Sequence, residues 1–152
     1  EIEEKEIILD IIKLHNYKEL PQNISKKLYT YASIIRDADK IDVIYTMVNI
    51  IPTLSKENQA IFYSNKEDRN FISEKLVNSI LNDETIVRTE LSTIDEVRAT
   101  YMGWITSDIK CSPSFEIINR EDLINKTFNL MSDSKEKEII LLFFLLIDVL
   151  LL

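Results

Sequence analysis

The residues best suited to chemistry lie in the first third of the chain. His15, the one histidine among 152 residues, ends an isoleucine-rich segment. The apolar segment YASIIRDADKIDVIY then carries five charged side chains, namely Arg36, Asp37, Asp39, Lys40 and Asp42. At helical spacing Asp39 lies between Ile35 and Val43, which predicts a carboxylate buried among apolar side chains. Imidazole and carboxylate groups on adjacent helices can hold a divalent metal ion or orient a phosphate group.

A simpler interpretation of the same residues stays open. His15 at a helix end is stabilised by the helix dipole, and the acids of the charged segment pair with Arg36 or with Lys40 at the surface. Asp37 lies about 200° around the helix from Asp39, so we expect it on a different face and outside any site that Asp39 forms. One histidine and one aspartate do not by themselves make a metal site.

The elements that must position these residues are helices. Apolar residues recur at helical spacing from Glu3 to Leu14, and again from a cap at Asn23 or Ser25 to about Asn49, before Pro52. Further helical patterns lie near 53–63, at 71–81, after a Ser/Thr cap at 92–93 with an acidic first turn, and in two segments between 112 and 131. We therefore predict an all-α helical bundle. Tyr101 and Trp104 are expected to pack in its core rather than to stack on a substrate.

Composition excludes several function classes. Hydrophobic residues make up 45% and charged residues 29%, which is typical of a globular domain. The net charge of −8 and the pI of about 4.7 argue against a nucleic-acid partner, which needs a basic surface. A single glycine leaves no Walker or dinucleotide-binding loop. The one cysteine, Cys111, is expected to be a structural thiol, and its solitude fits a reducing cytoplasm.

The segment IIKLHNYKELPQNISKKLYTYASIIRDADKIDVI resembles the C-terminal half of HD-domain metal-dependent phosphohydrolases of a bacterial type. The RDADK pattern is its most specific part, and YMGWITSDIKCSPSFEII is similar to the family's downstream aromatic helix. The resemblance extends to Met131 and implies a partial HD-type helical domain over residues 1–131.

The resemblance also implies roles for individual residues. Asp39 matches a metal ligand of the family, and His15 matches a histidine that contacts a second metal or the substrate phosphate. The implied cofactor is a divalent ion (Mn, Mg, Fe or Zn), whose charge would compensate a buried Asp39. The implied reaction is hydrolysis of a phosphate ester of a nucleotide or small metabolite. Arg36 and Lys40 are candidate phosphate contacts, with pairing to Asp37 at the surface as the alternative.

The sequence departs from the family pattern in its histidines. The family's early histidine and His-Asp doublet have no counterpart among the 152 residues. We expect those ligands upstream of Glu1, interpret the chain as part of a longer domain, and expect it to be inactive alone. The alternative is a non-catalytic all-α remnant or interaction module that keeps the later helices without the metal ligands.

The last segment, 132–152, is predicted to be a charged linker followed by the apolar run IILLFFLLIDVLLL. A membrane span needs about 20 apolar residues, so this run is short for one. Three interpretations stay open: a buried or oligomer-facing helix, the start of a truncated span, or residues from a damaged reading frame. The first is our prediction, and it allows a homo-oligomer through this segment.

Overall fold

The regular secondary structure of the described residues is helical. The structure is a computed structural model that describes residues 2–17, 19–64 and 66–151. Within these ranges β-pairing is limited to one isolated bridge between Glu67 and Thr93, so the all-α prediction is confirmed. The helices are α1 (Ile2–Leu14), α2 (Lys26–Tyr45), α3 (Lys56–Phe62), α4 (Glu74–Leu81), α5 (Ile94–Ser107), α6 (Ser112–Arg120), α7 (Leu123–Leu130) and α8 (Lys135–Leu151).

Residues at its two ends explain where helix α2 begins and ends. Ser25 is its N-cap, and the hydroxyl oxygen accepts a hydrogen bond from the Leu28 N–H at 3.2 Å, as predicted. Regular α-helical bonding stops at Tyr45, before the predicted end near Asn49, and gives way to a π-helical turn and then a 3₁₀ turn, Thr46–Ile50 and Ile51–Thr53. Pro52 lies in the second turn and lacks the N–H that a continued helix needs.

A single carboxylate joins the N-termini of α4 and α5. The Thr93 hydroxyl accepts from the Glu96 N–H at 3.1 Å, and Glu96 accepts from the Thr93 N–H at 3.3 Å, which forms a capping box. Glu96 also accepts from the N–H groups of Ser73 at 3.1 Å and Ser92 at 2.7 Å. Burial acts to raise the pKa of Glu96, but the hydrogen bonds from Ser73 and Ser92 outweigh it and hold the pKa below the ordinary 4.5. The ionised side chain therefore stabilises both helix ends.

One apolar core joins α2 to the later helices. Its fully buried side chains include Ile44, Met102, Ile118 and Leu123. Helix α8 belongs to the same core, because its Ile140 is fully buried and its Phe144 ring lies edge-on to Phe128 with centroids 6.0 Å apart. Helix α8 therefore packs on the rest of the protein through one face. Its residues lie within 132–152, which the sequence predicts to be a segment separate from the helical domain.

The opposite face of α8 is uncovered by the described residues. Leu142, Leu145 and Leu146 are each more than half exposed. The helix begins at Lys135, earlier than the apolar run, since the Ser134 hydroxyl accepts from the Lys137 N–H at 3.1 Å and starts the first turn. Leu152, the last residue of the predicted helix, lies outside the described residues. Among the helices that the structure describes, none has both the length and the apolar composition to cross a bilayer.

Candidate active-site cleft

The candidate residues of the sequence meet in one cleft between α2 and α5. The cleft, called here the α2–α5 cleft, has a volume of about 430 Å³. Arg36, Asp39 and Lys40 reach it together because spacings of three and four residues place them on one face of α2. His15 borders it from the turn after α1, and Gly103, Trp104 and Ser107 of α5 form the facing wall. Every site residue predicted from the sequence therefore lines the same space.

Asp39 enters this cleft as an exposed side chain, so the prediction of a buried carboxylate is wrong. Ile35, one turn earlier on α2, is itself 44% exposed, and Ala38 beside it is exposed as well. Apolar neighbours on a helix bury a residue only if another element covers that face, and none of the described residues covers this one. No cation is needed to compensate burial of Asp39. Its carboxylate is instead accessible to a ligand.

The buried acid of this segment is Asp37, which is 1% exposed. Its carboxylate accepts hydrogen bonds from the N–H groups of Lys110 at 3.1 Å and Cys111 at 2.7 Å, and from the Ser114 hydroxyl at 2.8 Å. Helix α6 has no capping side chain of its own at Cys111, so Asp37 supplies the acceptor for its N-terminus from another helix. The predicted surface pairing of Asp37 with Arg36 or Lys40 is therefore wrong.

The contact with Asp37 also affects the pKa of the neighbouring Cys111 thiol. Burial, the hydrogen bond with Asp37 and the charge of Asp37 all raise the pKa of the thiol above its ordinary 9.0. A raised pKa keeps the thiol protonated at neutral pH, which is unfavourable for a nucleophile.

The imidazole of His15 is held in one orientation. Its Nδ1 lies 2.5 Å from the carbonyl oxygen of Ile12, and since a carbonyl can only accept, Nδ1 carries the proton that is donated. In the neutral ring this places the lone pair on Nε2. Backbone carbonyls commonly orient metal-binding histidines in this way. His15 is therefore chemically suited to act as a ligand through Nε2.

The two basic side chains that α2 contributes to the cleft are buried or half-buried rather than on the surface. Arg36 is 7% exposed. The Lys40 ammonium lies 3.9 Å from an Asp108 carboxylate oxygen and 5.7 Å from the centre of the Trp104 ring. Its charge is thus already balanced in part by a carboxylate and an aromatic face. Trp104 lines the cleft, while Tyr101, whose ring centroid is 5.1 Å away, is 3% exposed and packs in the core as predicted.

Several cleft residues escape detection from the sequence. Asp83, Glu84 and Arg88 come from the connector between α4 and α5, and Asp108 ends α5. Asp83 has a positive φ of 54°, a conformation that aspartate tolerates better than most residues at a helix C-terminus. The Asn-Asp pair after an apolar helix is the one local signal of that turn. Nothing local indicates that the turn faces α2.

The donor atoms in the cleft fit a divalent ion only in part. His15 Nε2 and the Asp39 carboxylate are the ligand types that Zn, Mn and Fe accept. Within the described ranges, however, no group of three or more His, Cys, Asp or Glu side chains is arranged to hold a metal. His15 and Asp39 thus offer two donors of the right chemistry, fewer than a protein metal site uses. The chain matches no family model, no curated protein and no solved structure with which it was compared.

Proposed function

We propose that the α2–α5 cleft is part of the active site of a metal-dependent phosphohydrolase that acts on a small phosphate ester. The observation that carries the proposal is the convergence of His15, Asp39, Arg36 and Lys40 on one cleft. A third basic side chain, Arg88 of the α4–α5 connector, lines the same space. Guanidinium and ammonium groups are the usual protein partners of phosphate oxygens.

The proposed roles follow from where each side chain stands. Asp39 is an exposed carboxylate, and His15 presents Nε2, so these two would hold the divalent ion. Such an ion, when bound, supplies positive charge to a phosphoryl group and lowers the pKa of water. Arg36 is proposed to bind two phosphate oxygens through its planar guanidinium. Lys40 is proposed to exchange its contact with Asp108 for a contact with the phosphate.

The proposal requires metal ligands beyond those of the described residues. Two donors leave most of the coordination sphere unfilled, so the chain by itself is expected to bind Mn or Zn weakly and to be inactive. The identity of the metal (Mn, Mg, Fe or Zn) and a cytoplasmic location belong to the proposal as predictions.

The test compares alanine variants of two aspartates on α2, made in the whole protein that the gene encodes. Both Asp39 and Asp42 are exposed, but only Asp39 lines the α2–α5 cleft. Asp39→Ala is expected to lower metal content and to reduce turnover of p-nitrophenyl phosphate about 100-fold. Asp42→Ala should remain within about twofold of wild type, as is usual for a surface change, and His15→Ala should fall between them. Equal activity and metal content in Asp39→Ala and wild type would overturn the assignment.

A non-catalytic interaction module is the second candidate, and one observation favours it. Ile8 and Ile12 of α1 and Ile34 and Ile35 of α2 are 44–56% exposed, and exposed apolar groups on adjacent helices are typical of surfaces that bind other elements. The predicted homo-oligomer through the open face of α8 belongs to the same candidate. If the encoded protein holds no metal and hydrolyses no phosphomonoester, while Ile35→Ser abolishes a self-association seen by sedimentation, this function replaces the enzyme.

A further inference from the structure

Residues 82–90 of the α4–α5 connector form one wall of the α2–α5 cleft with little of their surface buried. Eight of these nine residues are exposed, and the ninth, Ile86, is partly buried where it packs against the apolar core. The ion pair between Lys75 of α4 and Glu90 joins two exposed side chains, so it adds little stability. A segment with so little buried apolar surface can detach at a low cost in free energy.

Both ends of this segment are anchored. At the first end the Glu84 N–H donates to the Ser79 carbonyl at 2.8 Å, and Asp83 has the positive φ that is common after the last turn of a helix. At the other end Leu91 is 6% exposed, and its carbonyl accepts a hydrogen bond from the Lys66 ammonium. Movement of the connector is therefore confined to residues between these two ends.

The middle of the connector contacts α5 at the one glycine of the chain. A Cβ atom on Gly103 would lie 3.3 Å from Cδ1 of Ile86 and 3.4 Å from Cγ1 of Ile80. Both distances are shorter than the optimal separation of two carbon atoms. Glycine therefore allows the Ile86 side chain to approach the α5 backbone closely. This contact is the apolar attachment of the connector to the wall of the cleft.

Empty space borders Ile86 on its other sides. Besides the α2–α5 cleft, two smaller cavities of about 120 and 50 Å³ adjoin the connector. Of the described residues, Ile86 alone lines the cleft and both smaller cavities. Protein interiors are usually packed with few voids, so the side chain that separates these three spaces is loosely held. Movement of Ile86 away from Gly103 would join them.

We propose that residues 84–90 form a gate beside the α2–α5 cleft, which is closed while Ile86 packs on Gly103 and open when that contact is broken. In the open state the cleft extends toward Trp104, which lines both the cleft and the 50 Å³ cavity. The gate thus sets the size of the ligand that the cleft admits. This inference rests on packing alone and does not depend on the proposed phosphohydrolase function.

The experiment is ¹⁵N relaxation dispersion on the ligand-free chain. Wild type should show exchange on the μs–ms timescale in the amide signals of residues 84–90, with an open population of about 1%. The indole N–H signal of Trp104, the one tryptophan, should show the same exchange rate. Ile86→Ala removes much of the contact with Gly103 and should raise the open population about tenfold.

Val87 provides the matched control, because it is the next residue, is also β-branched and is 47% exposed. It borders the 120 Å³ cavity but neither the cleft nor the 50 Å³ cavity. Val87→Ala should leave the open population within about twofold of wild type. Absence of exchange in residues 84–90 of wild type, or equal effects of Ile86→Ala and Val87→Ala, would overturn the gate.

Gly103→Ala tests the same contact from the facing wall. Its Cβ atom would displace the flexible end of Ile86, so the open population should rise while the exchange stays confined to the connector and Trp104. If Ile86→Ala instead causes exchange throughout the helices, that variant reports a general loss of stability, and Gly103→Ala then decides. Confined exchange in Gly103→Ala supports the gate, and exchange equal to that of wild type overturns it.

Discussion

Asp37 and Asp39 lie two residues apart on α2 and have opposite environments. Asp37 is buried and accepts hydrogen bonds from three donor groups, the N–H groups of Lys110 and Cys111 just before α6 and the Ser114 hydroxyl within it. Asp39 is exposed in the α2–α5 cleft. A two-residue step turns about 200° around a helix, so one acid faces the body and the other faces the open side. The comparison teaches that burial of a carboxylate here identifies a structural contact. The accessible carboxylate is the one available to a ligand.

The largest effect is expected from removing the buried acid. Asp37→Ala leaves the Lys110 and Cys111 N–H groups and the Ser114 hydroxyl without their acceptor. The free energy of unfolding should fall by about 3 kcal/mol, since hydrogen bonds to a charged group are worth more than neutral ones. Urea denaturation followed by circular dichroism measures the change. A loss no larger than that of the exposed Asp42→Ala control would show that Asp37 does not stabilise α6.

A smaller loss is expected at Glu96, another buried carboxylate, and it should depend on pH. Because the pKa of Glu96 lies below 4.5, its stabilisation is fully present above pH 4.5 and is lost as the pH falls through the lowered value. Glu96→Gln should lower the free energy of unfolding by about 1–2 kcal/mol at neutral pH. The difference from wild type should shrink in acid. A difference that stays constant from neutral pH into acid would contradict the role of the ionised carboxylate.

A smaller effect of the Asp37 charge is expected on the pKa of the Cys111 thiol. Its pKa is raised by burial and then by the hydrogen bond and charge of Asp37. Asp37→Asn removes the charge and keeps the shape, so the pKa of Cys111 should move down toward 9.0. A pH titration of the Cys111 Cβ signal by NMR, under conditions where the variant stays folded, measures it. An unchanged pKa would mean that burial alone is responsible.

The smallest effect on stability is expected at Asp39. Its side chain is exposed, and alanine is a better helix former than aspartate, so Asp39→Ala should change the free energy of unfolding by less than about 0.5 kcal/mol. Urea denaturation, as for Asp37→Ala, measures this change in the free energy of unfolding. A loss comparable to that of Asp37→Ala would remove the distinction between the two acids.

The sequence predicts this fold where the signals are local. The Ser25 cap and the Thr93–Glu96 capping box each join residues three positions apart, and both are visible as patterns. The sequence also places His15, Arg36, Asp39 and Lys40 as candidates, and they share one cleft. It fails for Asp37, whose partners lie 73 to 77 residues away in the chain. Helical spacing shows which residues share a face but not which face another helix will cover.

We propose that the exposed Asp39, together with His15, is the metal-binding part of this chain. The most direct test is paramagnetic broadening of the amide signals of the ¹⁵N-labelled chain on addition of Mn²⁺. With two donors, binding should be weak and without sharp stoichiometry, yet broadening should be strongest around His15 and Asp39. It should be lost there in Asp39→Ala and kept in Asp42→Ala. Broadening around His15 that persists unchanged in Asp39→Ala, or that is centred on another part of the chain, would contradict the claim.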